Sequence, residues 1–254
     1  MKYLCIIPAR YNSTRLPGKP LADIGGKTMI QRVYERACSV FEDVLVATDD
    51  LRILKEVENF SGNAVMTADF HPSGTDRCLE ALNIFEENSG KQFDIVINIQ
   101  GDEPFIHKEQ LVLLKNCFTE INVEIATLIK EISSESDYRN PNKPKVIINS
   151  DNFACYFSRA AIPYIREGNF EEVAKSIKFY KHIGVYGYKV EVLRKITKLE
   201  QSSLEKTEKL EQNRWLENGF RIKTAVTNFE SLSVDTQEDL VEIKNFMENN
   251  MDLM

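Results

Sequence analysis

The sequence lacks the marks of several large protein classes. Its five cysteines form no C-x-x-C pair and have no histidine pair nearby, which excludes the usual structural zinc site and disulfide framework. No apolar run approaches the roughly 20 residues of a membrane-spanning helix, and Pro8 and Arg10 end the first run before it is long enough for a signal peptide. We therefore expect reduced, mostly buried thiols in a soluble, cytoplasmic protein of 254 residues.

Two common phosphate-binding motifs and a basic surface are also absent. Gly25-Gly26-Lys27-Thr28 is similar to the end of a Walker A loop, but Leu21 stands where that motif requires its first glycine. The eleven glycines include no G-x-G-x-x-G motif. The formal net charge of -7 argues against nucleic-acid and anionic-membrane partners, because both are bound through clustered Lys and Arg. The local signatures therefore exclude a P-loop NTPase and a dinucleotide-binding Rossmann domain.

Short apolar runs alternate with amphipathic segments in the first half of the chain. The runs predict strands near residues 2–7, 43–47, 63–67, 93–99 and 124–131. The 3.6-residue spacing of apolar side chains predicts helices near 28–40, 50–60, 75–87 and 107–119. This alternation indicates an α/β fold with a largely parallel sheet and helices on both of its faces.

After about residue 140 the pattern changes. A turn cluster at 140–144 precedes β-rich segments at 145–149, 153–158 and 183–188, which predict an antiparallel or mixed lobe. The last part of the sequence predicts a helix at 203–217, a strand at 221–227 and a helix at 236–248. With 43% hydrophobic residues, the chain can bury one large core, so we expect residues 1–254 to form a single domain or one domain with an appended lobe.

The segment after the first predicted strand is basic and stiffened by prolines. It brings three cations and two hydroxyls together: Arg10, Ser13, Thr14, Arg15 and Lys19. A solvated surface loop is the alternative interpretation of such a segment. However, this loop leaves the carboxyl end of the first strand, where open parallel sheets bind their ligands. Its position therefore favours a polyphosphate site.

A second candidate follows the most apolar predicted strand, in the segment Ile99-Gln100-Gly101-Asp102-Glu103-Pro104. A nucleoside triphosphate needs a divalent cation, and Mg²⁺ takes one or two protein carboxylates together with phosphate oxygens. Asp102 would share the sheet edge of the basic loop, although it could also simply end a turn before Pro104. Asp235 is a weaker candidate, because Asp235-Thr236-Gln237-Glu238 has the spacing of a capping box.

Other polar segments allow both a functional and a structural interpretation. Pro72-Ser73-Gly74-Thr75-Asp76-Arg77 is a turn before a helix, which could hold a base or a phosphate. Arg159 and His182 lie in aromatic-rich strands and could grip an anionic substrate, but a lone histidine on a strand is more often structural. His71 and His107 receive only the structural interpretation.

The predicted helix after residue 203 carries a mixed polar face. Four residues fall at helical spacing on it: Glu208, Glu211, Gln212 and Trp215. A carboxylate, an amide and an indole together suit a polyhydroxylated ligand. A solvated helix with one buried tryptophan explains the same spacing.

Ten segments together resemble the 3-deoxy-manno-octulosonate cytidylyltransferase family over nearly the whole length. They are IIPARYNSTRLPGKPL, MIQRVYERA, VATDD, VMT, SGTDR, INIQGDEP, YFSRAAIPY, KHIGVYGY, KLEQ and VDTQEDL. Related hexose-1-phosphate nucleotidylyltransferases begin with a glycine-rich loop. The start Ala9-Arg10-Tyr11 is instead similar to the branch that activates acidic sugars with CTP.

The resemblance implies an α/β fold of three α/β/α layers, the nucleotidyltransferase fold of nucleotide-diphospho-sugar transferases. Its sheet would be mostly parallel, with a smaller β-rich lobe through which family members usually form homodimers. Within one domain, residues 1–130 would form the nucleotide-binding part, and residues 140–230 the sugar-binding and dimerisation part. The implied reaction is attack of the C2 hydroxyl of 3-deoxy-manno-octulosonate (Kdo) on the α-phosphorus of CTP, giving CMP-Kdo for lipopolysaccharide synthesis and pyrophosphate.

The resemblance also implies roles for individual residues. Those around CTP would be Ala9, Arg10, Ser13, Arg15, Lys19, Gly74, Thr75, Arg77 and Gln100. Those around the sugar acid would be Arg159, His182, Tyr186, Glu211 and Gln212. Asp102 and Asp235 would bind Mg²⁺, which favours a ligand role for Asp235 over a purely capping one. Arg10, Lys19 and Asp102 would carry the catalysis.

Departures from the family pattern leave alternatives open. Asp76 stands where many members have Glu, and Asn213 replaces a residue that is often apolar, so the 8-amino analogue of Kdo or another acidic sugar is an alternative substrate. A glycosyltransferase of similar fold would use a D-x-D motif, and Asp102-Glu103-Pro104 lacks its second aspartate. A non-catalytic nucleotide sensor would lack the metal carboxylates, which are present here.

Overall fold

The computed structural model describes residues 1–12, 16–230, 234, 236, 238–241 and 243. The chain divides into two compact units, one formed by Met1–Leu111 with Ser231–Met254 and the other by Val112–Glu230. None of the described helices is both long enough and apolar enough to cross a membrane.

The first part of the chain alternates strands and helices as its periodicity predicts. In order, the elements are β1 (Tyr3–Ala9), β2 (Asp23–Ile24), β3 (Lys27–Thr28), α1 (Met29–Cys38), β4 (Asp43–Thr48), α2 (Leu51–Asn59), β5 (Ala64–Met66), α3 (Gly74–Ser89), β6 (Ile95–Asn98) and α4 (Lys108–Asn116). The strands β6, β1, β4 and β5 are neighbours in that order, and each neighbouring pair is parallel. The predicted parallel sheet is confirmed for this unit.

The central strand β1 is buried because parallel sheets are covered by helices on both faces. Its residues 4–7 are fully buried, which is why they read as a continuous apolar run. Helix α1 turns Ile30, Val33 and Ala37 inward at the predicted spacing. Since β1 runs parallel to both β4 and β6, the carboxyl ends of all three strands lie at one edge of this sheet.

The second unit contains the predicted antiparallel or mixed lobe, and its strand pairing is mixed. Its elements are β7 (Ile125–Glu131), α5 (Glu135–Arg139), β8 (Lys145–Ile148), β9 (Ala154–Ser158), α6 (Phe170–Val173), β10 (Tyr180–Lys189), α7 (Val190–Ile196), α8 (Ser203–Glu208), α9 (Glu211–Glu217) and β11 (Ile222–Thr227). Strand β7 pairs with β11 in parallel and with β10 antiparallel, while β8 pairs antiparallel with β10 and β9. Buried aromatic residues pack the lobe: Tyr138, Phe157, Phe170, Phe179, Tyr188 and Trp215.

The structure corrects the sequence-based prediction at several points. The predicted helix at 203–217 is two helices, because Lys209 adopts a left-handed conformation (φ 53°) and ends α8. Strand β10 extends beyond the predicted segment 183–188 at both ends. The hairpin β2–β3 and helix α7 were not predicted. All five cysteines are free as expected, but Cys38 and Cys155 are exposed.

Candidate active site

A pocket of about 280 Å³ opens at the carboxyl edge of the first unit's sheet. Four segments line it: the end of β1, residues Lys19 and Pro20, the turn before α3 with the start of that helix, and the loop that follows β6. The lining residues are Pro8, Ala9, Arg10, Lys19, Pro20, His71, Pro72, Ser73, Gly74, Arg77, Gln100, Gly101 and Asp102. The pocket therefore lies where open parallel sheets bind ligands, at the edge predicted from the sequence.

Two glycines let the segments come this close together. A Cβ on Gly101 would lie 3.0 Å from the carbonyl oxygen of Pro8, and a Cβ on Gly74 would lie 3.2 Å from Pro8 Cγ. The β1–β6 pairing also continues past the strand, because Ile99 donates its N–H to Ile6 O at 3.1 Å. A side chain at 101 would therefore force the end of β1 and the loop after β6 slightly apart.

Lys19 and Asp102 meet at this edge although 83 residues separate them in sequence. Lys19 Nζ donates to Asp102 Oδ2 at 2.6 Å, and the two side chains are 10% and 30% exposed. Lys19 begins a short 3₁₀ helix, Lys19–Leu21, directly after Gly18, which has a φ of +70°. Arg10 lines the same pocket and is exposed. The pocket lining thus combines three cations, Arg10, Lys19 and Arg77, with the carboxylate of Asp102.

Arg77 forms a fixed part of the pocket wall. Its guanidinium donates to Thr67 Oγ1 at 2.6 Å and to Asp49 Oδ2 at 2.7 Å, and the residue is 4% exposed. Gln100 is oriented by a 3.0 Å bond from its Nε2 to Asn98 Oδ1. The predicted residue Thr75 is buried in the first turn of α3 and is not among the residues that line the pocket.

The donor set of the pocket fits a magnesium ion that arrives with a polyphosphate. Asp102 supplies carboxylate oxygens, which Mg²⁺ prefers, and it keeps access to water. Within the described part of the chain, no group of three or more His, Cys, Asp or Glu side chains is placed to hold a metal.

Three predicted residues, Ser13, Arg15 and Asp235, lie outside the described residues. Next to the last of these in sequence, Val234 donates its N–H to Asp102 O at 3.1 Å.

His71 is a pocket residue that the sequence analysis interpreted as structural only. Its Nε2 makes a short contact with Glu80 Oε2, and that carboxylate also accepts the N–H of Ala68 at 2.9 Å. Burial alone would raise the pKa of Glu80, but the bonds from His71 and Ala68 lower it below its ordinary value. The one available signal was the position of His71 directly before the Pro72-Ser73 turn.

In the second unit, Arg159 is held by backbone carbonyls. Its guanidinium donates to Glu208 O at 2.7 Å, to Pro141 O at 3.0 Å and to Lys209 O at 3.5 Å. Its own N–H donates to the Glu208 carboxylate at 2.9 Å. Because α8 ends at Glu208, this residue is not on one helical face with Glu211 and Gln212, and the shared polar face predicted from the sequence is wrong.

His182 is neutral in this lobe. Burial lowers its pKa to about 3, so it carries no charge near pH 7. Its Nε2 lies 2.9 Å from Thr127 Oγ1, and its ring packs 5.2 Å from the rings of Phe157 and Tyr186. His182 can therefore offer a ligand a hydrogen bond but not a positive charge.

Buried polar atoms without hydrogen-bond partners lie in the same lobe. Among the described residues they include Tyr186 Oη, Gln212 Nε2 and Trp215 Nε1. The rings of Tyr186 and Trp215 meet edge to face at 5.2 Å. Burial raises the pKa of the Tyr186 phenol, with a further contribution from Glu211, so the hydroxyl keeps its proton. Unsatisfied buried donors are costly, and a polar ligand would satisfy them.

Comparisons with known proteins agree with this fold. The sequence profile of the family described as Cytidylyltransferase matches residues 4–251. The chain is 53% identical to the 3-deoxy-manno-octulosonate cytidylyltransferase of Parabacteroides distasonis, with 98% of this chain and 99% of the relative covered. It is 50% identical to the protein of the same name from Bacteroides thetaiotaomicron, with 98% and 99% covered.

Solved structures agree as well. A CMP:2-keto-3-deoxy-manno-octonic acid synthetase complexed with CTP matches with a TM-score of 0.88 at 40% identity, over 98% of this chain and 99% of the other. A putative glucose-1-phosphate thymidylyltransferase from Bacillus anthracis matches with a TM-score of 0.64 at 16% identity, over 96% and 94%, and supports the fold alone. The predicted nucleotidyltransferase fold is confirmed.

Proposed function

Because the chain belongs to the 3-deoxy-manno-octulosonate cytidylyltransferase family, we propose that it transfers the cytidylyl group of CTP to Kdo, releasing pyrophosphate. The observation that carries the proposal is the meeting of Lys19 and Asp102 beside Arg10 in the sheet-edge pocket. A polyphosphate needs cations around it, and its metal needs a carboxylate. This pocket provides both.

The nucleotide would occupy the pocket of the first unit. Arg10 and Lys19 would bind the phosphates and orient the α-phosphorus for in-line attack. Gly74, Arg77 and Gln100 would surround the base, and the bonds that hold Arg77 and Gln100 in place support this assignment. Ala9, Ser13, Arg15 and Thr75 stay proposed members of the CTP site from the family resemblance.

Asp102 and Asp235 would hold Mg²⁺, which supplies charge neutralisation at the phosphates when bound. The bond from Val234 N–H to Asp102 O supports the pair, because Val234 precedes Asp235 in sequence. Within the chain itself, Arg10 and Lys19 stabilise the negative charge that develops on the phosphates in the transition state. We assign no side chain as general base.

The sugar would bind in the second unit, through Arg159, His182, Tyr186, Glu211 and Gln212. The unsatisfied Tyr186 Oη and Gln212 Nε2 support a polyhydroxylated ligand there. Since His182 is neutral, it would donate or accept a hydrogen bond, and Arg159 would supply the positive charge for the sugar carboxylate. A homodimer formed through residues 140–230 and a cytoplasmic location remain proposals from the family resemblance.

A pyrophosphate-release assay tests the proposal. The full chain with CTP, Kdo and Mg²⁺ should release pyrophosphate, whereas Asp102→Asn should not, even though it still binds CTP. Parallel reactions with 8-amino-Kdo and with sialic acid separate the alternative acidic sugars. Reactions with ATP, GTP and UTP test the choice of base. Release from none of the acidic sugars would contradict the proposed function.

A further inference from the structure

Tyr11 lies between the proposed phosphate-binding residues and is so far without a role. Its ring stacks under the guanidinium of Arg52, whose Cζ lies 3.3 Å from the ring centroid. On the loop itself, a Cβ on Gly18 would lie 3.1 Å from both Cζ and Oη of Tyr11. The backbone joins the same two residues, because Gly18 donates its N–H to Tyr11 O at 3.0 Å. Tyr11 therefore connects the start and the end of the loop that leads to Lys19.

Arg52 is itself held in place. Its Nε and Nη2 donate to the two carboxylate oxygens of Asp50 at 2.9 and 2.6 Å. Asp50 caps helix α2 by accepting the Arg52 N–H at 2.9 Å. The guanidinium is thus fixed to the first turn of a helix that follows β4, the strand paired with β1. The first turn of α2 therefore supports the ring from outside the loop.

The backbone conformation of Gly18 sets the direction in which the chain enters the short helix that begins with Lys19. Gly18 has a φ of +70° and directly precedes the short helix that begins with Lys19. The Lys19 ammonium then reaches Asp102 in the pocket. At the other end of the loop, Arg10 is bonded directly to Tyr11 in the chain. A displacement of the Tyr11 ring would therefore act on both cations.

We propose that Tyr11 is a positioning residue, whose ring, held between Gly18 and Arg52, keeps Arg10 and Lys19 directed at one polyphosphate. The inference rests on the proposed function, because it assumes that the phosphates of CTP bind these two cations. Tyr11 should therefore affect binding of the phosphates of CTP but not binding of its base. The proposed base contacts, Gly74 and Gln100, do not depend on this ring.

The expected loss of CTP affinity depends on whether a substitution removes the Tyr11 ring or only the Arg52 cation. Without the ring, Arg10 and Lys19 must be ordered when the ligand binds, which should weaken CTP binding about tenfold. Removing only the cation from an exposed stack should weaken it about threefold. Once the ring is gone, Arg52 has nothing to stack on, so its substitution should have no further effect.

Calorimetric titration of the full chain with CTP and with cytidine, both in the presence of Mg²⁺, tests the inference. Tyr11→Ala should raise the Kd for CTP about tenfold and leave the Kd for cytidine unchanged. Tyr11→Phe, which keeps the ring, should bind CTP like the wild type, and Arg52→Met should raise its Kd about threefold. The Tyr11→Ala/Arg52→Met double variant should match Tyr11→Ala alone. Leu51→Ala, at an exposed neighbour of Arg52, is the control for a surface change on α2.

Other results overturn the inference. If Tyr11→Ala weakens cytidine and CTP equally, the ring supports the fold and not the phosphate loop. If the effects of the Tyr11 and Arg52 substitutions add in the double variant, the two side chains act independently. If Tyr11→Ala binds CTP as the wild type does, the ring has no positioning role. Failure of the wild type itself to bind CTP would instead overturn the proposed function.

Discussion

The ion pair between Lys19 and Asp102 predicts how Lys19→Met changes stability. Removing one partner of a fully buried pair costs about 3–5 kcal/mol, and an exposed pair contributes about 0–1 kcal/mol. Here the side chains of Lys19 and Asp102 are 10% and 30% exposed, so water can partly replace the lost partner. We expect the free energy of unfolding to fall by about 1–2 kcal/mol, which is about 2–8 °C in Tm for a chain of this size.

The same substitution should reduce turnover far more than stability. It removes a cation from the site where the phosphates of CTP would develop negative charge. Loss of one such preorganised donor lowers the rate by about 10²–10³-fold, so we expect this fall in kcat/KM. Lys19→Arg keeps the charge and is the matched control. Its unfolding free energy should stay closer to that of the wild type than that of Lys19→Met.

Two measurements check the reasoning. Urea denaturation of the wild type, Lys19→Met, Asp102→Asn and the double variant gives the coupling between the two side chains, which we expect to be about 1 kcal/mol. Pyrophosphate release gives kcat/KM for the wild type, Lys19→Met and Lys19→Arg. A coupling energy of zero would refute the ion pair as a stabilising contact. A Lys19→Met enzyme with wild-type kcat/KM would refute the role of Lys19 at the phosphates.

Three further predictions address the loops and the sugar lobe. Gly101→Ala, whose Cβ would lie 3.0 Å from Pro8 O, should lower the free energy of unfolding by about 1–3 kcal/mol, while Gly184→Ala, whose Cβ meets nothing within 4 Å, should not; urea midpoints compare the two. Burial lowers the pKa of His182 to about 3 in the folded state, whereas it is about 6.5 in the unfolded state. At a pH below about 6.5 the unfolded state therefore binds more protons than the folded state. Stability should therefore fall by up to about 1.4 kcal/mol per pH unit as the pH drops from about 6.5 toward 3, a dependence that His182→Gln should lose. Tyr186→Phe removes an unsatisfied buried hydroxyl, so its Tm should stay the same or rise while the KM for Kdo increases; an unchanged KM would remove Tyr186 from the sugar site.

Much of the first unit could be predicted because its local patterns and its tertiary structure agree. The strands of a parallel sheet are buried on both faces, so residues 4–7 read as one apolar run and are fully buried. The carboxyl ends of such strands share an edge. This rule alone predicts that Lys19 and Asp102, 83 residues apart in sequence, lie at the same edge of the sheet, where the structure shows them in contact.

The remaining features depend on contacts that a local pattern does not contain. The helix predicted over 203–217 breaks at Lys209, while Glu208 accepts hydrogen bonds from Ser158 Oγ at 2.6 Å and from Arg159 N–H at 2.9 Å. These partners lie about 50 residues away in β9 and directly after it. His71 was interpreted alone, whereas its pocket position depends on Glu80 in the second turn of α3. The spacing of apolar residues predicts which residues share a helix face. It does not predict hydrogen bonds between residues that are distant in sequence.

The physical basis of this candidate phosphate site also differs from that of a glycine-rich loop. A Walker loop binds phosphates through backbone amides, whereas here side-chain cations face the pocket, and two of them, Lys19 and Arg77, are paired with carboxylates. The guanidinium of Arg77 is held by its hydrogen bonds to Asp49 and Thr67, so it can line the pocket in a fixed orientation. Lys19 is paired with Asp102, the same carboxylate that a metal ion would require. An incoming polyanion would therefore compete with Asp102 for Lys19, and under the proposed function a metal ion bound to the polyanion would reduce the cost of that exchange by taking the carboxylate.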